Sequence, residues 1–548
     1  NKATQNGGAV YWNGADGSII NSNFSSNNAT RGGAVYWAGA DGTLTGSTFT
    51  NNAATNIGGG VYWAGADGTL IESIFKGNIA KTGNGGGAHW ASFAANGTII
   101  NSTFTDNTAA INGGGLSWGG ANGTLTGSNF KNNNANGDYY CGGGLHWSGA
   151  NGIIKDSTFT GNTGKINGGA IYCDGTNTTV DNCNFENNHA VNGNNVFWVW
   201  TPTDFLNRYN QIHEYDYIYI RNGTGTPSNT IVLNKKGITI SSEGNVTFDA
   251  KGKNLHFEVT GDNILIEKIT FRNFNFADVG GVMRWRGNYG TINNCNFINN
   301  TARTYGGAFY WEGRNGTIIN SVFTDNIARR GGGAICWNYI NGTISDSKFI
   351  NNHADEYGGA IYWNILTNGK IISCNFTKNT AKIHGGAIFW NGNNGIIVDS
   401  IFTDNIGIYG AGVYWNGINS TIINSNFIRN TATRGGGIFW NNANCKLIDS
   451  TFTANTASDN GGAVYWNSNG YVINCNFVNS KYVKSNGIYA NSNLTINNGK
   501  GIVDIVTTTN SILSATSIVV LNNETYYYPP NTNINLTKKK KNMPYQNI

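Results

Sequence analysis

The sequence predicts an all-β repeat protein in which each repeat forms one coil of a β-solenoid. The segment 306–328, GGAFYWEGRNGTIINSVFTDNIA, returns at 7–29 as GGAVYWNGADGSIINSNFSSNNA. Tryptophan recurs about every 26 residues, as at Trp311, Trp337 and Trp363. Such a period, with β-branched and aromatic residues punctuated by Gly and Asn, is typical of solenoid coils, whereas the Gly-Gly and Asn-Gly pairs disfavour helical repeats.

Each coil is predicted to contain three short strands, with a bend between the second and the third. An aliphatic residue stands five positions before a repeated Phe, as Ile318 does before Phe323, and a Ser or Cys stands two positions before it. Because alternate residues of a strand face the same side, inward positions five and two before the Phe require a bend. The intervening Asn, Asp or Gly, such as Asn320, tolerates the left-handed backbone that this bend needs.

The strand that begins at each Gly-Gly pair is predicted to point its fourth and sixth residues inward and its fifth outward. The fourth residue is always apolar, and the sixth is Trp in almost every copy, with Cys173 as an exception. We therefore expect an internal stack of Trp rings. The Asn of the repeated Phe-x-x-Asn motif is expected to close the next corner, with its amide hydrogen-bonded from coil to coil.

The outward fifth position forms a column of aromatic residues, and it carries the candidate ligand-binding residues. In one interpretation the rings support one another and seal the sheet. In the other, a flat aromatic strip binds sugar rings or a partner surface by weak multivalent contacts. The column contains Tyr11, Tyr36 and Tyr62, then Tyr310, Tyr362, Phe389, Tyr414, Phe439 and Tyr465, and the candidate ligand-binding residues are these last six with Trp198 and Trp200.

Two coupled motifs give a family resemblance over roughly residues 1–500. The pair Gly306-Gly307-Ala308-Phe309 and Phe323-Thr324-Asp325-Asn326 resembles the repeats of chlamydial polymorphic outer membrane proteins. It is still more similar to the repeats of adhesin-like surface proteins of methanogenic archaea. The resemblance implies a right-handed parallel β-helix with a pectin-lyase-like fold, export, and an adhesive cell-surface role without catalytic residues.

The repeat pattern divides the chain into five segments. Residues 192–217 are aromatic and lack Gly-Gly, so they form either a loop thrown out from a coil or a break between two solenoids. The stretch 517–536 resembles the opening of an immunoglobulin-like domain, followed by a tail that we expect to be disordered. The segments are an N-terminal array (1–191), the aromatic junction (192–217), degenerate leading coils (218–279), a second array (280–500) and terminal strands (501–548).

Composition argues against several classes of partner. The net charge is +5, much of it from the Lys run at 538–541, which gives little support to nucleic-acid binding. No apolar segment reaches the length of a membrane span. Because the chain opens at Asn1 inside the repeat pattern, we expect a signal peptide upstream of this fragment.

The eight cysteines are predicted to be buried free thiols. Cys183, Cys295, Cys374 and Cys475 replace the small inward Ser of the repeat. Pairing of Cys173 with Cys183, or of Cys141 with Cys173, is the alternative. No Cys/His spacing indicates a metal, and no cofactor is expected.

One acidic column offers a weak candidate for Ca²⁺ binding. Asp16, Asp41 and Asp67 precede a Gly in successive turns, and like charges about 5 Å apart favour a cation between them. The competing interpretation is a turn that accepts either Asp or Asn. Later copies carry Asn96 and Asn122 at this position, which favours the turn.

Two functions of different classes follow. The first is a non-catalytic extracellular or cell-surface rod, an adhesin or spacer, whose partners are host or neighbouring-cell surfaces and their glycans. The alternative is a polysaccharide lyase or glycoside hydrolase, which requires carboxylates on adjacent coils. The acidic residues are scattered along the sequence. The only charged cluster contains Arg284, Arg286, Glu312 and Arg314, and it is expected near the stretch with His213, Glu214 and Asp216. Solvated coil residues are the simpler explanation of that cluster.

Overall fold

The protein is a right-handed parallel β-solenoid with about 26 residues per coil, which confirms the predicted fold. The computed structural model describes residues 1–364, 368–478, 480–482 and 487–491, with the backbone alone for 481–482 and for six strands between 494 and 534. The Lys run at 538–541 lies outside the described residues. The chain forms two compact units: an N-terminal unit of Asn1–Gly223 with Lys235–Glu243, and a C-terminal unit of Thr224–Asn234 with Gly244–Ile548.

The N-terminal unit is built from four kinds of strand, each stacked in its own parallel sheet. The Trp strands are Val10–Trp12, Val35–Trp37, Val61–Trp63, Ala88–Trp90, Leu116–Trp118, Leu145–Trp147, Ile171–Cys173 and Val196–Trp200, continued by Tyr217–Ile220 and Thr239–Ser242. The aliphatic strands are Ser18–Ile20, Thr43–Thr45, Thr69–Ile71, Thr98–Ile100, Thr124–Thr126, Ile153–Lys155 and Thr179–Asp181. The Phe strands are Asn23–Ser25, Thr48–Thr50, Ile74–Lys76, Thr103–Thr105, Asn129–Lys131, Thr158–Thr160 and Asn184–Glu186. The Ala strands are Asn28–Arg31, Ala53–Ile57, Ile79–Ala80, Thr108–Ala109, Asn134–Ala135 and Thr163–Gly164.

The C-terminal unit repeats the same four kinds of strand after a strand at Gly223–Gly225. Its Trp strands and their continuations are Ile231–Leu233, Phe257–Val259, Met283–Trp285, Phe309–Trp311, Ile335–Trp337, Ile361–Trp363, Ile388–Trp390, Val413–Trp415, Ile438–Trp440, Val464–Trp466, Ile488–Ala490 and Ile505–Thr507. The aliphatic strands are Leu265–Glu267, Thr291–Asn293, Thr317–Ile319, Thr343–Ser345, Lys370–Ile372, Ile396–Val398, Thr421–Ile423, Cys445–Ile448, Gly470–Ile473, Leu494–Asn497 and Ser511–Leu513. The Phe strands are Val246–Asp249, Ile269–Arg272, Asn296–Ile298, Val322–Thr324, Lys348–Ile350, Asn375–Thr377, Ile401–Thr403, Asn426–Ile428, Thr451–Thr453 and Asn476–Val478. The Ala strands are Asn275–Phe276, Thr301–Ala302, Ile327–Ala328, His353–Ala354, Thr380–Ala381, Thr431–Arg434, Thr456–Asn460 and Lys481–Tyr482. Near the end of the chain, Ser517–Leu521 pairs antiparallel with Glu524–Tyr528, and Thr532–Ile534 pairs antiparallel with Ser511–Leu513.

The prediction of three strands per coil is wrong, because most coils contain a fourth. The extra strand carries a buried alanine, such as Ala109 or Ala328, just before the next Gly-Gly pair. Many copies are only two residues long, so they show no alternation of apolar and polar residues that sequence inspection can detect.

Neighbouring coils pair in exact repeat register, so that equivalent residues lie one above the other. Trp337 pairs with Trp311 on one side and Trp363 on the other. Their ring centroids are 4.8 and 5.1 Å apart, with planes 7° from parallel. The predicted internal Trp stack is therefore confirmed, and the Trp side chains fill much of the core.

The predicted left-handed bend is also present. Asn320 has φ of 51°, and the equivalent Asp399 has φ of 52°. This conformation reverses the alternation, so that Ile318, Ser321 and Phe323 are all buried.

A ladder of buried asparagine amides runs along the coil corner, as predicted from Phe-x-x-Asn. The Nδ2 of Asn326 donates to Oδ1 of Asn352 at 2.9 Å, and the backbone N–H of Asn326 donates to the same oxygen at 3.0 Å. Asn352 repeats both bonds to Asn379, and its Nδ2 also donates to the carbonyl of Phe323. Every amide atom of Asn352 is thus hydrogen-bonded without water.

All eight cysteines are free, and neither alternative disulfide is formed. Seven are buried, and Cys183 is partly exposed. Burial raises the pKa of Cys374 to about 12 and that of Cys183 to about 11.

Candidate functional site

The predicted aromatic column lies on the Trp strands, on the side opposite the Trp rings. Its N-terminal members Tyr11, Tyr36 and Tyr62 stack at 5.3 and 4.8 Å, and the other six lie in the C-terminal unit. Tyr362, Phe389, Tyr414 and Phe439 occupy equivalent positions of consecutive strands and pair in register. Tyr465 follows in the next strand. We call these residues, with Tyr310, the aromatic column.

Neighbouring rings of the aromatic column stack face to face. Phe389 and Tyr414 stack at 5.0 Å with an interplanar angle of 7°, and Tyr414 and Phe439 stack at 5.0 Å and 12°. Phe439 and Tyr465 stack at 4.6 Å and 6°. Phe389 is only 8% exposed and Tyr465 only 5%. The stacking in this part of the column matches the interpretation in which the rings support one another, because the faces that would stack on a sugar are already covered.

A second column, not identified from the sequence, covers the first. It consists of the residues that precede each Gly-Gly pair, among them Tyr357, His384 and Tyr409. The ring of His384 lies 4.4 Å from that of Tyr414, and Tyr357 lies 5.2 Å from Phe389. Burial lowers the pKa of His384 to about 4. In the sequence, the members of this second column share only their position before Gly-Gly, because the residue type there varies.

Regular stacking is interrupted where Cys336 replaces an aromatic residue between Tyr310 and Tyr362. Tyr362 tilts by 57° relative to Phe389 and lies 5.8 Å from Tyr305 and 6.0 Å from Tyr357. A Cβ on the neighbouring Gly331 would lie 2.9 Å from the Tyr362 ring, so this tilt depends on glycine. We call Tyr305, Tyr357 and Tyr362 the tyrosine cluster. All three are partly exposed, and Tyr357 also stacks on His384 at 5.6 Å.

The predicted charged cluster of the C-terminal unit consists of ion pairs between adjacent coils. Glu312 accepts from Nε of Arg284 at 2.8 Å and from Nε of Arg286 at 3.3 Å. Arg286 also contacts Glu258. The hydrogen bond to Glu312 raises the pKa of Arg284. Arg314 is placed elsewhere, with its guanidinium over the ring of Tyr339. These carboxylates therefore pair with arginines of neighbouring coils.

The residues predicted around His213 hold a buried carboxylate in the N-terminal unit. Asp216, 1% exposed, accepts from Nε1 of Trp198 and from the backbone N–H groups of Val196 and His213, each at 2.9 Å. Its Oδ2 lies 3.3 Å from Nδ1 of His213. Asp216 thus closes the turn that brings the chain back onto the Trp sheet.

Trp198 and Trp200 are not exposed to a ligand. They belong to the strand Val196–Trp200 and are 0% and 2% exposed. After that strand, helix α1 (Pro202–Arg208) begins with a capping box between Thr201 and Asp204, and a 3₁₀ helix follows at Tyr209–Gln211. Arg208 packs over the Trp200 ring at 5.0 Å. Residues 196–200 of the predicted junction are therefore a core strand, and the two helices after it leave the regular coil. The two indoles have almost no exposed surface.

The Asp column occupies exposed turns, as expected for residues that tolerate positive φ. Asp16, Asp41 and Asp67 have φ of 55°, 54° and 56°. Nδ2 of Asn96 donates to Oδ1 of Asp67 at 3.0 Å, and Asn122 donates to Asn96 in the same manner. Among the described residues, no three His, Cys, Asp or Glu side chains come together as metal ligands. The column continues smoothly from Asp into Asn, which favours the turn interpretation.

Within the described residues, no helix is both long and apolar enough to cross a membrane.

Comparison with known proteins identifies two family models within the chain. Residues 33–199 match the right handed beta helix region. Residues 320–336, 346–362, 373–389 and 449–465 match the Chlamydia polymorphic membrane protein repeat. No curated protein matches the chain.

Solved structures with a similar fold include enzymes and an adhesin. A mannuronic acid specific family 6 polysaccharide lyase from human gut microbiota is 12% identical, with 57% of this chain and 83% of that chain covered and a TM-score of 0.37. The family 6 polysaccharide lyase of Pseudopedobacter saltans is also 12% identical, with 54% and 84% covered and a TM-score of 0.30. PfbA, a surface adhesin of Streptococcus pneumoniae, is 13% identical, with 70% and 91% covered and a TM-score of 0.24.

At these identities and TM-scores the likenesses carry no information about activity. The family models and the coil geometry agree on the fold. The chain is a right-handed parallel β-helix, and four of its segments match the Chlamydia polymorphic membrane protein repeat.

Proposed function

We propose that the protein is a non-catalytic extracellular or cell-surface β-helix protein that acts as an adhesin or a surface spacer. The observation that carries the proposal is repetition: consecutive coils use equivalent residues for the same contacts, as in the stacked Trp337 and Trp363 and the bonded Asn352 and Asn379. Added coils therefore extend one surface instead of building a unique cleft. The matches to Chlamydia polymorphic membrane protein repeats support a surface location.

The way acidic side chains are used supports the absence of catalysis. Asp399 accepts from the amide of Asn424 at 2.6 Å, and Asp156 accepts from Asn182 at 2.7 Å. Glu312 is paired with two arginines. Hydrolysis or lyase chemistry on such a scaffold needs carboxylates that converge on a substrate, whereas these link one coil to the next.

The contact surface that we propose for a glycan or a neighbouring-cell surface is the tyrosine cluster. The ring of Tyr362 lies 5.8 Å from that of Tyr305 and 6.0 Å from that of Tyr357, across the break at Cys336. Tyr305 and Tyr357 are tilted by 31° and 41° relative to Tyr362, so Tyr305 and Tyr362 do not form a regular stack, while Tyr357 stacks on His384 at 5.6 Å. A sugar ring packs its apolar C–H face on such an aromatic face, and several weak contacts of this kind give useful attachment.

Glycan-array and cell-binding measurements test this proposal. The double variant Tyr305→Ala/Tyr362→Ala should lose attachment, whereas Tyr414→Ala, taken from the closed part of the aromatic column, should keep it. Equal loss in both proteins would contradict the tyrosine cluster as the contact surface. A wild-type protein that attaches to neither glycans nor cells would contradict the adhesin role.

The non-catalytic part has its own test. Incubation with pectin and with cell-wall glycans, followed by a reducing-sugar assay and by absorbance for unsaturated products, should show no release. Steady product formation that increases with the concentration of the protein would contradict the proposed absence of catalysis.

A further inference from the structure

A polar cavity of about 460 Å³ lies in the N-terminal unit, away from the aromatic column. One wall is the aliphatic strand Thr179–Asp181, and the other is the end of the 3₁₀ helix with the two residues after it. The volume falls within the roughly 300–1,000 Å³ range of small-ligand sites. The cavity is lined by Thr179, Val180, Asp181, Asn210, Gln211, Ile212, His213 and Lys235.

The wall formed by residues 210–213 is held in place by buried contacts. Arg208 is itself buried, donates to the carbonyl of Thr178 and lies 3.4 Å from the side-chain oxygen of Gln211. It also packs over Trp200. Ile212 is buried against the coil. The helical segment is thus fixed over the strand Thr179–Asp181, which makes the cavity a preformed feature.

His213 is oriented by the buried Asp216. The two oxygens of Asp216 receive three N–H donors from Val196, Trp198 and His213, and Oδ2 also faces Nδ1 of the imidazole at 3.3 Å. This contact orients the ring of His213, which is one of the lining residues of the cavity.

The remaining lining groups suit a ligand rich in hydroxyls. Asp181 accepts hydrogen bonds, Asn210 and Gln211 both donate and accept, and Lys235 donates. Vicinal hydroxyl groups, each a donor and an acceptor, match such a mixed set. One acidic and one basic side chain leave the lining without a strong preference for a charged ligand.

We propose that this cavity binds a single neutral sugar residue, free or at the end of a glycan. The site depends neither on the tyrosine cluster nor on the adhesin role.

Saturation-transfer NMR on the full 548-residue chain tests the proposal with glucose, galactose, mannose and N-acetylglucosamine, and with galacturonate as a charged comparison. At least one neutral sugar should receive saturation. Its Kd, from calorimetry, should rise at least tenfold in Asp181→Ala and in Asn210→Ala, both exposed positions. Lys155→Ala is the matched control, because Lys155 occupies the same position as Asp181 one coil earlier.

Three results would overturn the proposal: no binding of any neutral sugar, binding of galacturonate alone, or equal affinity in both cavity variants and the wild type. The outcome is separate from that of the adhesin tests. If the protein binds a sugar here but does not attach to cells, the sugar site is supported and the adhesin role is contradicted. If the cavity variants change neither cell attachment nor sugar binding, only the proposed sugar site is contradicted.

Discussion

The ring of Trp311 occupies the space that a side chain on Gly316 would need. A Cβ built on Gly316 would lie 2.4 Å from Cε2 of that ring. The equivalent pairs Trp337 with Gly342 and Trp390 with Gly395 show the same contact. The glycine of these turns therefore lies directly against the Trp ring, and the residue before it has the left-handed conformation of the turn. Ser420 and Cys445 occupy the same position beside Trp415 and Trp440, whose rings are 5.4 Å apart.

Gly316→Ala should destabilise the C-terminal unit by about 1–3 kcal/mol, because the ring must leave its stacked position to relieve the overlap. Urea denaturation followed by Trp fluorescence measures the change. Gly14→Ala is the control, since its nearest neighbour, Nε1 of Trp12, lies at 3.8 Å. Equal midpoints for the Gly316 variant and the wild type would contradict this account.

Asn352→Ala should cost about 3 kcal/mol or more. The change removes the acceptor of Asn326 and the donor to the Phe323 carbonyl, which leaves buried polar groups unpaired. Thermal unfolding followed by circular dichroism is the measurement. Asn351→Gly, at the exposed neighbouring position with φ of 55°, keeps the backbone conformation and should change stability little. A comparable loss in both variants would count against the amide ladder.

Acidification should weaken the N-terminal unit through His146. Burial lowers the pKa of His146 to about 4, below the ordinary value of 6.5. The unfolded chain therefore binds a proton first, and stability present above pH 6.5 is lost as the pH falls towards 4. The loss from this residue is about 2.5 kcal/mol near pH 4.5.

His146→Phe should reduce that loss, and the same column already accepts Phe197. Urea midpoints at pH 7 and pH 4.5 give the comparison. Asp174, whose carboxylate lies 3.9 Å from Nε2 of His146, is unchanged in both proteins, so the difference isolates the imidazole. Identical pH dependence in the variant and the wild type would refute the assignment.

Thiol titration should distinguish Cys183 from the other cysteines. Seven thiols are buried, and burial raises the pKa values of Cys295 and Cys374 to about 12, so a disulfide reagent at pH 8 should leave them unmodified in the native protein. Slow labelling should occur at Cys183 and disappear in Cys183→Ser, a residue that the repeat already uses there. In denaturant all eight should react. Fast native labelling of several thiols would contradict the buried arrangement.

The period of the sequence was sufficient to predict the coil and its internal stacks. Identical residues one period apart must lie above one another in an in-register solenoid, which is why Trp337 over Trp311 and Asn352 beside Asn326 were predictable. The left-handed bend at Asn320 was predictable for a second reason: only a few residue types tolerate it.

Ring orientations and irregular segments were harder to predict from the sequence. The period predicts where the backbone of Phe389 and Tyr414 lies but not their side-chain torsions. Whether their ring faces are exposed or stacked could therefore be learned only from the structure. The covering residues vary from Tyr357 to His384 to Arg434, which conceals their common position. The strand Val196–Trp200 lacks Gly-Gly, and its burial follows from tertiary pairing that local pattern does not reveal.

The in-register pairing of coils has a consequence for how such a gene changes over time. Because each turn offers the next an equivalent template, unequal recombination between copies adds or deletes a whole turn and joins surfaces that already fit. Length then becomes a trait that varies in steps of about 26 residues, with the fold preserved at every step. Insertions of other sizes shift every later ladder out of alignment and should be tolerated mainly where the chain already leaves the regular turn, as it does at helix α1.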